Sequence, residues 1–280
     1  MMASLIDRKQ LKQDMKDLLA DAQVSPRSMT VLYLGLSLVL SMVDTLAGNS
    51  GLLSTFLSIL TSLLGMVLSA GFVLYCMAIR RGERAEFLTL FDGFSFVGKL
   101  IGLTIVTALF IWLWSMLFII PGIIAAYRYR FAPYNLYENP GIGVMEALEM
   151  SKRQTMGYKG QLFALGLSYL GWTLLASLPA IVEVGMLYYG LFSSAFDYMN
   201  GTIAAMPADI STFAVLPAWL WTLIISLWSM AVSLFYLPNY QCVELGYFET
   251  AKRTSGVGAG AETPAIGAGP GAGPDGLGGL

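Results

Sequence analysis

The stretch IIPGIIAAYRYRFAPYNLYENPG, residues 119–141, decides how this chain threads. It is apolar enough to enter a bilayer, yet Arg128 and Arg130 stand near its middle. Pro121-Gly122 breaks one end, Pro133 interrupts the interior and Asn139-Pro140-Gly141 breaks the other end. Whether this stretch crosses a membrane sets the side on which every later segment falls.

Around it, 56% of the 280 residues are hydrophobic and only 12% are charged. Soluble domains carry roughly a quarter charged residues. Mean hydropathy is +0.66, and the apolar residues fall in blocks of roughly 20, the length a helix needs to cross ~30 Å of hydrocarbon. The fold class is therefore all-α, a polytopic helical membrane protein. The chain has no histidine, which removes the commonest general base and the commonest zinc ligand. Cys76 and Cys242 are too distant in sequence for a CxxC or metal-ligand spacing and read as small apolar residues. No paired-carboxylate, metal or cofactor motif is visible, and the Gly-rich runs lack the Lys and Ser/Thr of a phosphate loop. The chain reads as a non-enzyme with no cofactor, no metal and no nucleic-acid partner.

Residues 1–27 form a cytoplasmic amphipathic segment. Ser4 and Asp7 suggest a capping box, and Leu11, Met15, Leu18 and Ala22 form an apolar stripe over 5–22. Arg8, Lys9, Lys12 and Lys16 would face anionic headgroups. These residues are too charged for a cleaved signal peptide, so the first span is expected to insert uncleaved. Ser25-Pro26 suits a helix start. A membrane domain over 28–250 follows, with spans at about 29–47, 52–79, 100–118, 120–138, 161–182 and 213–237. Gly65-x-x-x-Ser69 allows close helix contact. Phe91-Asp92-Gly93-Phe94 reads as a turn with Asp92 capping the next helix. Residues 141–157 form a second amphipathic inner-surface helix, its less polar side marked by Val144, Leu148, Ser151 and Thr155. Tyr188, Tyr189, Phe192, Phe196 and Tyr198 read as an outer interfacial helix. Phe235-Tyr236-Leu237-Pro238 closes the last span, and 251–280 is a Gly/Ala/Pro-rich tail expected to be disordered.

Charge placement chooses the topology, since cytoplasmic loops collect Lys and Arg. Without a crossing at 119–141, Lys152, Arg153, Lys159, Lys252 and Arg253 would lie outside. With a crossing as the return leg of a hairpin about Pro121-Gly122, every Lys and Arg except Arg128 and Arg130 lies inside. Six spans with both termini cytoplasmic follow; a re-entrant hairpin at 119–141 would also satisfy the charges. Six spans bury an arginine near mid-bilayer, at about 2.5–3.5 kcal/mol on the insertion scale, partly offset by snorkelling.

Arg128 and Arg130 lie about 200° apart on a helix, so they cannot share a partner. The acids available at span ends are Asp44 and Glu183, the possible counter-charges. At least one arginine is then left for carbonyls freed by proline, for water, or for a lipid phosphate, which Arg grips in a bidentate fork. The candidate anion or lipid contact is Arg128 and Arg130 with Tyr134 and Asn135. Pro121, Gly122, Pro133 and Pro140 are its hairpin and hinge positions.

Several segments recur together in a known order: Phe-Asp-Gly-Phe (91–94), Ile-Pro-Gly-Ile-Ile-Ala-Ala-Tyr-Arg-Tyr (120–129), Ala-Pro-Tyr (132–134), Glu-Asn-Pro (138–140), Glu-Ala-Leu-x-x-Ser-Lys (146–152), Met-Gly-Tyr-Lys (156–159) and Leu-Ser-Tyr-Leu-Gly-Trp (167–172). This order resembles the bacterial integral membrane family called domain of unknown function 975. It is distantly similar to the membrane portion of some glycerophosphodiester phosphodiesterases. The chain departs from the family at Pro238-Asn239-Tyr240, where Pro-Tyr is usual, and in its Gly-rich tail. The resemblance implies a fold and a membrane location and supplies no catalytic residue.

The expected role is a lipid- or amphiphile-binding or scaffolding protein of the cell membrane, with membrane lipids and a membrane protein as partners. The alternative is a small transporter or export accessory subunit with the 119–141 hairpin lining the path.

Overall fold

The computed structural model describes residues 6–20, 24–48, 51–202 and 216–258, and every regular element among them is a helix. Asp7 caps the first, α1 (Arg8–Ala20): its Oδ1 accepts the N–H groups of Lys9 at 2.9 Å and Gln10 at 3.3 Å. Ser4 and Ala22 of the expected helix lie outside the described residues, as does the tail beyond 258. α1 buries Met15 and Leu19 and leaves its lysines at the surface.

α2 (Pro26–Ala47) starts at the proline whose missing N–H costs nothing in a first turn. α3 (Leu52–Arg80) follows, and a 3-10 helix (Phe87–Phe96) then doubles back along it. Two glycines make that contact possible. A Cβ on Gly71 would lie 1.8 Å from the Leu90 carbonyl oxygen, and one on Gly93 would lie 2.2 Å from that of Val67. The close approach is therefore here and not at Gly65, around which nothing lies within 4 Å. Phe91-Asp92-Gly93-Phe94 is part of this helix rather than a turn, and no side chain caps the helix after it.

α4 (Val97–Leu117) and α5 (Ile119–Arg128) form a hairpin. Its turn is Phe118, extended at φ −162° and ψ 154°, not Pro121-Gly122. Those two residues sit in the first turn of α5, where a proline sacrifices no hydrogen bond. Gly122 lets the legs touch, since a Cβ there would lie 2.0 Å from Ser115 Oγ. The return leg stays antiparallel to α4 for its whole length. Tyr129 stacks on Phe110, and Lys99 Nζ donates to the carbonyls of Pro140 and Ile142.

A continuous helix over 120–138 does not form. α5 ends at Arg128 and α6 (Ala132–Glu138) begins after three intervening residues. Pro133 has no N–H for the Tyr129 carbonyl, so the α-ladder cannot run through. Ser151 bridges the break by donating to the Arg128 carbonyl at 2.9 Å and accepting the Phe131 N–H at 3.1 Å. Ser151 belongs to α7 (Val144–Gln154), which buries Ala147, Leu148, Ser151 and Gln154 and exposes Glu146 and Glu149.

α8 (Lys159–Met199) and α9 (Ala218–Ser255) both run through a proline, Pro179 and Pro238, and both continue beyond the span ends expected at 182 and 237. Pro179 cannot donate to the Leu175 carbonyl four residues back. The indole Nε1–H of Trp228 on α9 takes that carbonyl instead, at 2.7 Å. The aromatic residues at 188–198 therefore continue α8 and are not a separate interfacial helix. α9 passes Pro238 and ends at Gly256, which takes the left-handed conformation at φ 67°.

Five segments are long and apolar enough to cross a membrane: Pro26–Ala47, Leu52–Arg80, Phe87–Leu117, Lys159–Met199 and Ala218–Ser255. Burial is concentrated at one end. Tyr75, Cys76, Phe131, Tyr158, Cys242, Tyr247 and Phe248 are fully enclosed there, whereas Leu52, Phe56, Ile105, Phe118, Ile119 and Phe192 toward the other end are exposed. Apolar exposure on this scale is expected of a surface facing lipid, not water. Cys76 and Cys242, distant in sequence, are buried neighbours between α3 and α9.

Basic residues from several elements meet at the buried end. Arg80 pairs with Glu249 at 2.6 Å, Lys252 and Arg81 share Glu138 at 2.6 and 3.3 Å, and Arg8 reaches the Ala164 carbonyl at 3.0 Å. Both ends of the described chain are here too: the Ile6 N–H donates to Gln161, and Gln154 donates to the Val257 carbonyl.

Candidate functional site

The broken return leg brings Arg130 against the inner half of α9. Its Nε and Nη2 donate to Glu244 Oε1 and Oε2 at 2.6 and 2.9 Å, a bidentate grip, and Nη2 also reaches the Tyr240 hydroxyl at 2.8 Å. Tyr134 donates to Glu244 Oε1 at 2.9 Å and accepts from Gln241 Nε2 at 2.9 Å. The Glu244 side chain is 3% exposed and that of Arg130 43%, so the acid is the buried member. A cavity of about 50 Å³ beside the pair, lined in part by Tyr127, Leu165 and Gly166, has room for a water or two.

The counter-charge is thus Glu244, not Asp44 or Glu183. Asp44 instead accepts a hydrogen bond from Ser58, and Glu183 forms no ion pair among the described residues. Asn135 is also committed internally: its amide exchanges two 2.9 Å hydrogen bonds with that of Gln154. Of the four residues marked as an anion contact, three are held in protein–protein bonds. Only the Arg128 guanidinium has no hydrogen-bond or ion-pair partner among the described residues. Pro121 and Gly122 lie within α5, Pro133 starts α6, and Pro140 presents its carbonyl to Lys99.

Glu244 escaped the sequence reading because Pro238 looked like a helix end. The signal was present in Cys242-Val243-Glu244-Leu245-Gly246-Tyr247-Phe248, a lone acid in an apolar run. Such an acid needs a partner.

A second arrangement has the opposite character, with charges left unpaired. Between α1, the start of α2, α8 and α9 runs a groove of about 810 Å³. Lys9, Lys12, Lys16 and Arg27 line its rim, and Tyr169, Trp172, Phe235 and Tyr236 line its wall. None of the four cations forms an ion pair among the described residues, and no Asp or Glu among them lines the groove.

The groove is built by local fixings. Lys12 Nζ sits 4.0 Å above the Tyr169 ring and 2.9 Å from Ser168 Oγ. Asn239 donates to the Lys12 carbonyl at 3.2 Å and accepts from the Tyr169 hydroxyl at 2.6 Å, joining α1, α8 and α9. Trp172 stacks on Phe235 and Tyr236 with centroids 6.4 and 6.1 Å apart. Burial first, and Arg8 second, push the Lys12 ammonium below its ordinary pKa. An anion in the groove would relieve both effects. The sequence placed Lys9, Lys12 and Lys16 on one helix face, but Tyr169 and Trp172 are some 150 residues away and only the fold brings them together.

No curated protein and no solved structure matches the chain. Residues 116–253, which include the broken return leg, Glu244 and the aromatic wall of the groove, match the family described as "Protein of unknown function (DUF975)", and this match supports placing the chain in that family.

Proposed function

We propose that this chain is a non-enzymatic protein of the cytoplasmic membrane that holds an anionic lipid or amphiphile in the inner leaflet. One observation carries the reading: four cations with no ion-pair partner among the described residues rim a groove whose wall includes the exposed Trp172 and Phe235. Basic pockets between membrane helices on the cytoplasmic side suit lipid headgroups, and the aromatic wall suits the start of an acyl chain.

In this reading the basic end faces the cytoplasm, in keeping with the positive-inside tendency. Because both ends of the described chain lie at that end, the number of crossings is even. α2, α3, α8 and α9 supply four. From Tyr127, packed on Phe163 of α8, nine residues lead to the Phe118 turn, a rise of about 14 Å. From Tyr240, which bonds Arg130, α9 rises about 33 Å to Ala218. The α4–α5 hairpin therefore enters the bilayer to about half depth and returns, rather than adding two full crossings. A transport role would call for a polar route to the arginines, and the 50 Å³ cavity beside Arg130 gives that role little support.

Native mass spectrometry of the detergent-purified protein tests the reading. The wild type should retain phospholipid, and a Lys12→Gln/Lys16→Gln/Arg27→Gln variant of unchanged melting temperature should lose it. Equal retention by both proteins would refute the groove as the site.

A further inference from the structure

The groove carries more positive charge than one phosphodiester can balance, and the cations are not clustered at a point. Lys9, Lys12 and Lys16 follow one another at i, i+3 and i+7 along α1, so the first and last are about 10 Å apart along the axis. Arg27 approaches from α2, whose positive N-terminal end opens on the same groove and whose Ser25 makes no side-chain cap bond. A single phosphate could satisfy one end of this row and leave the cations at the other end without a counter-charge. Two phosphates a few ångströms apart would satisfy both ends.

Resting on the reading above, we propose that the lipid held here carries two phosphodiesters joined by a short bridge, the cardiolipin class. One phosphate sits between Lys9 and Lys12 and the other between Lys16 and Arg27. The acyl chains leave along Trp172 and Phe235, which are 42% and 73% exposed. Lys12 is the least mobile of the four cations, held by the Tyr169 face and Ser168, and sets the register. Arg27 supplies the fork suited to phosphate oxygens.

The test is lipid competition. The full chain is placed in nanodiscs holding equal charge equivalents of cardiolipin and phosphatidylglycerol in a phosphatidylethanolamine background, then released for native mass spectrometry. Wild type should retain cardiolipin over phosphatidylglycerol by at least about tenfold. Lys9→Gln/Lys12→Gln and Lys16→Gln/Arg27→Gln should each cut cardiolipin retention about thirtyfold, at roughly one unit of surface attraction per cation lost. Each should leave phosphatidylglycerol retention within about threefold, because one intact pair suffices for one phosphate. An Arg253→Gln variant, outside the groove, should behave as wild type.

Equal retention of the two lipids by wild type, lost in the groove variants, would overturn the two-phosphate class and leave the lipid-binding reading intact. Absence of any retained lipid would overturn both. Selectivity that survives both double substitutions would overturn the site. Pyrophosphate in solution should not displace the lipid; full displacement would show that a soluble diphosphate, not a lipid, is the anion for which the groove is built.

Discussion

The Arg130–Glu244 pair makes an unequal demand on its two members, and that inequality can be measured. Glu244 is 3% exposed and Arg130 43%. Replacing Arg130 with Met strands a nearly buried carboxylate that keeps the Tyr134 hydroxyl as its donor and has only the small adjoining cavity for water. Removing one partner of a buried pair costs about 3–5 kcal/mol. Replacing Glu244 with Gln instead strands the guanidinium, which can turn toward solvent or headgroups and keeps Tyr240. The loss is then closer to one charged hydrogen bond, about 1.5–3 kcal/mol. Thermal melting of the full chain in one detergent should rank wild type, Glu244→Gln and Arg130→Met in falling order. At about 2–4 °C per kcal/mol for a chain of this size, the gap between the two variants is about 5 °C. Because the pair is a single unit, the double variant should melt above Arg130→Met alone. If Glu244→Gln were the more damaging, or if the double variant showed the sum of the two losses, the idea that burial of the acid dominates this centre would be refuted.

Other consequences follow from particular contacts. Gly71→Ala should lower the melting temperature sharply, by about 3 kcal/mol or more, because the new methyl would meet the Leu90 backbone. Gly65→Ala, with open space around it, should be neutral or stabilising by up to about 1 kcal/mol. Trp228→Phe should cost about 1–2 kcal/mol by leaving the Leu175 carbonyl without a donor. The same substitution should cost much less in a Pro179→Ala background, where the helix supplies its own N–H. Cys76 and Cys242, both 0% exposed, should resist a maleimide reagent in mild detergent and react fully only on denaturation, as read by mass shift.

The apolar blocks were legible because hydrocarbon thickness dictates their length; α2, α3 and α4 lie over three of them, with α2 and α4 each starting three residues before the expected span. Prolines were where local reading failed. Pro26 begins a helix, Pro121 sits harmlessly in a first turn, Pro133 helps end a ladder, and Pro179 and Pro238 lie within helices that continue. What separates these cases is whether the carbonyl four residues back finds another donor. For Leu175 that donor is an indole 53 positions away. No window around Pro179 contains that information, so the end of α8 could not be set from sequence.

The same kind of distance explains the site. Residues 119–141 presented two arginines needing neutralisation, and the demand was correctly legible: an arginine there had to be met by an acid, by freed carbonyls or by an anion. Ending α9 at Pro238 leaves Glu244 outside the span, and without it one of the two arginines has only freed carbonyls, water or a lipid phosphate to meet it. With α9 continued, Glu244 lies in the same helix as Tyr240 and Gln241 and closes that centre internally. The unmet charge then moves elsewhere. Among the described residues, Arg128 has no partner beside the break, and Lys9, Lys12, Lys16 and Arg27 have no ion-pair partner in a groove of about 810 Å³. An excess of cations that the chain could have paired with acids, as it did at Glu138, Glu244 and Glu249, is more economically explained by an anion from outside the protein than by incomplete folding. The cations that call for an anionic lipid are therefore those of α1 and Arg27, not Arg130.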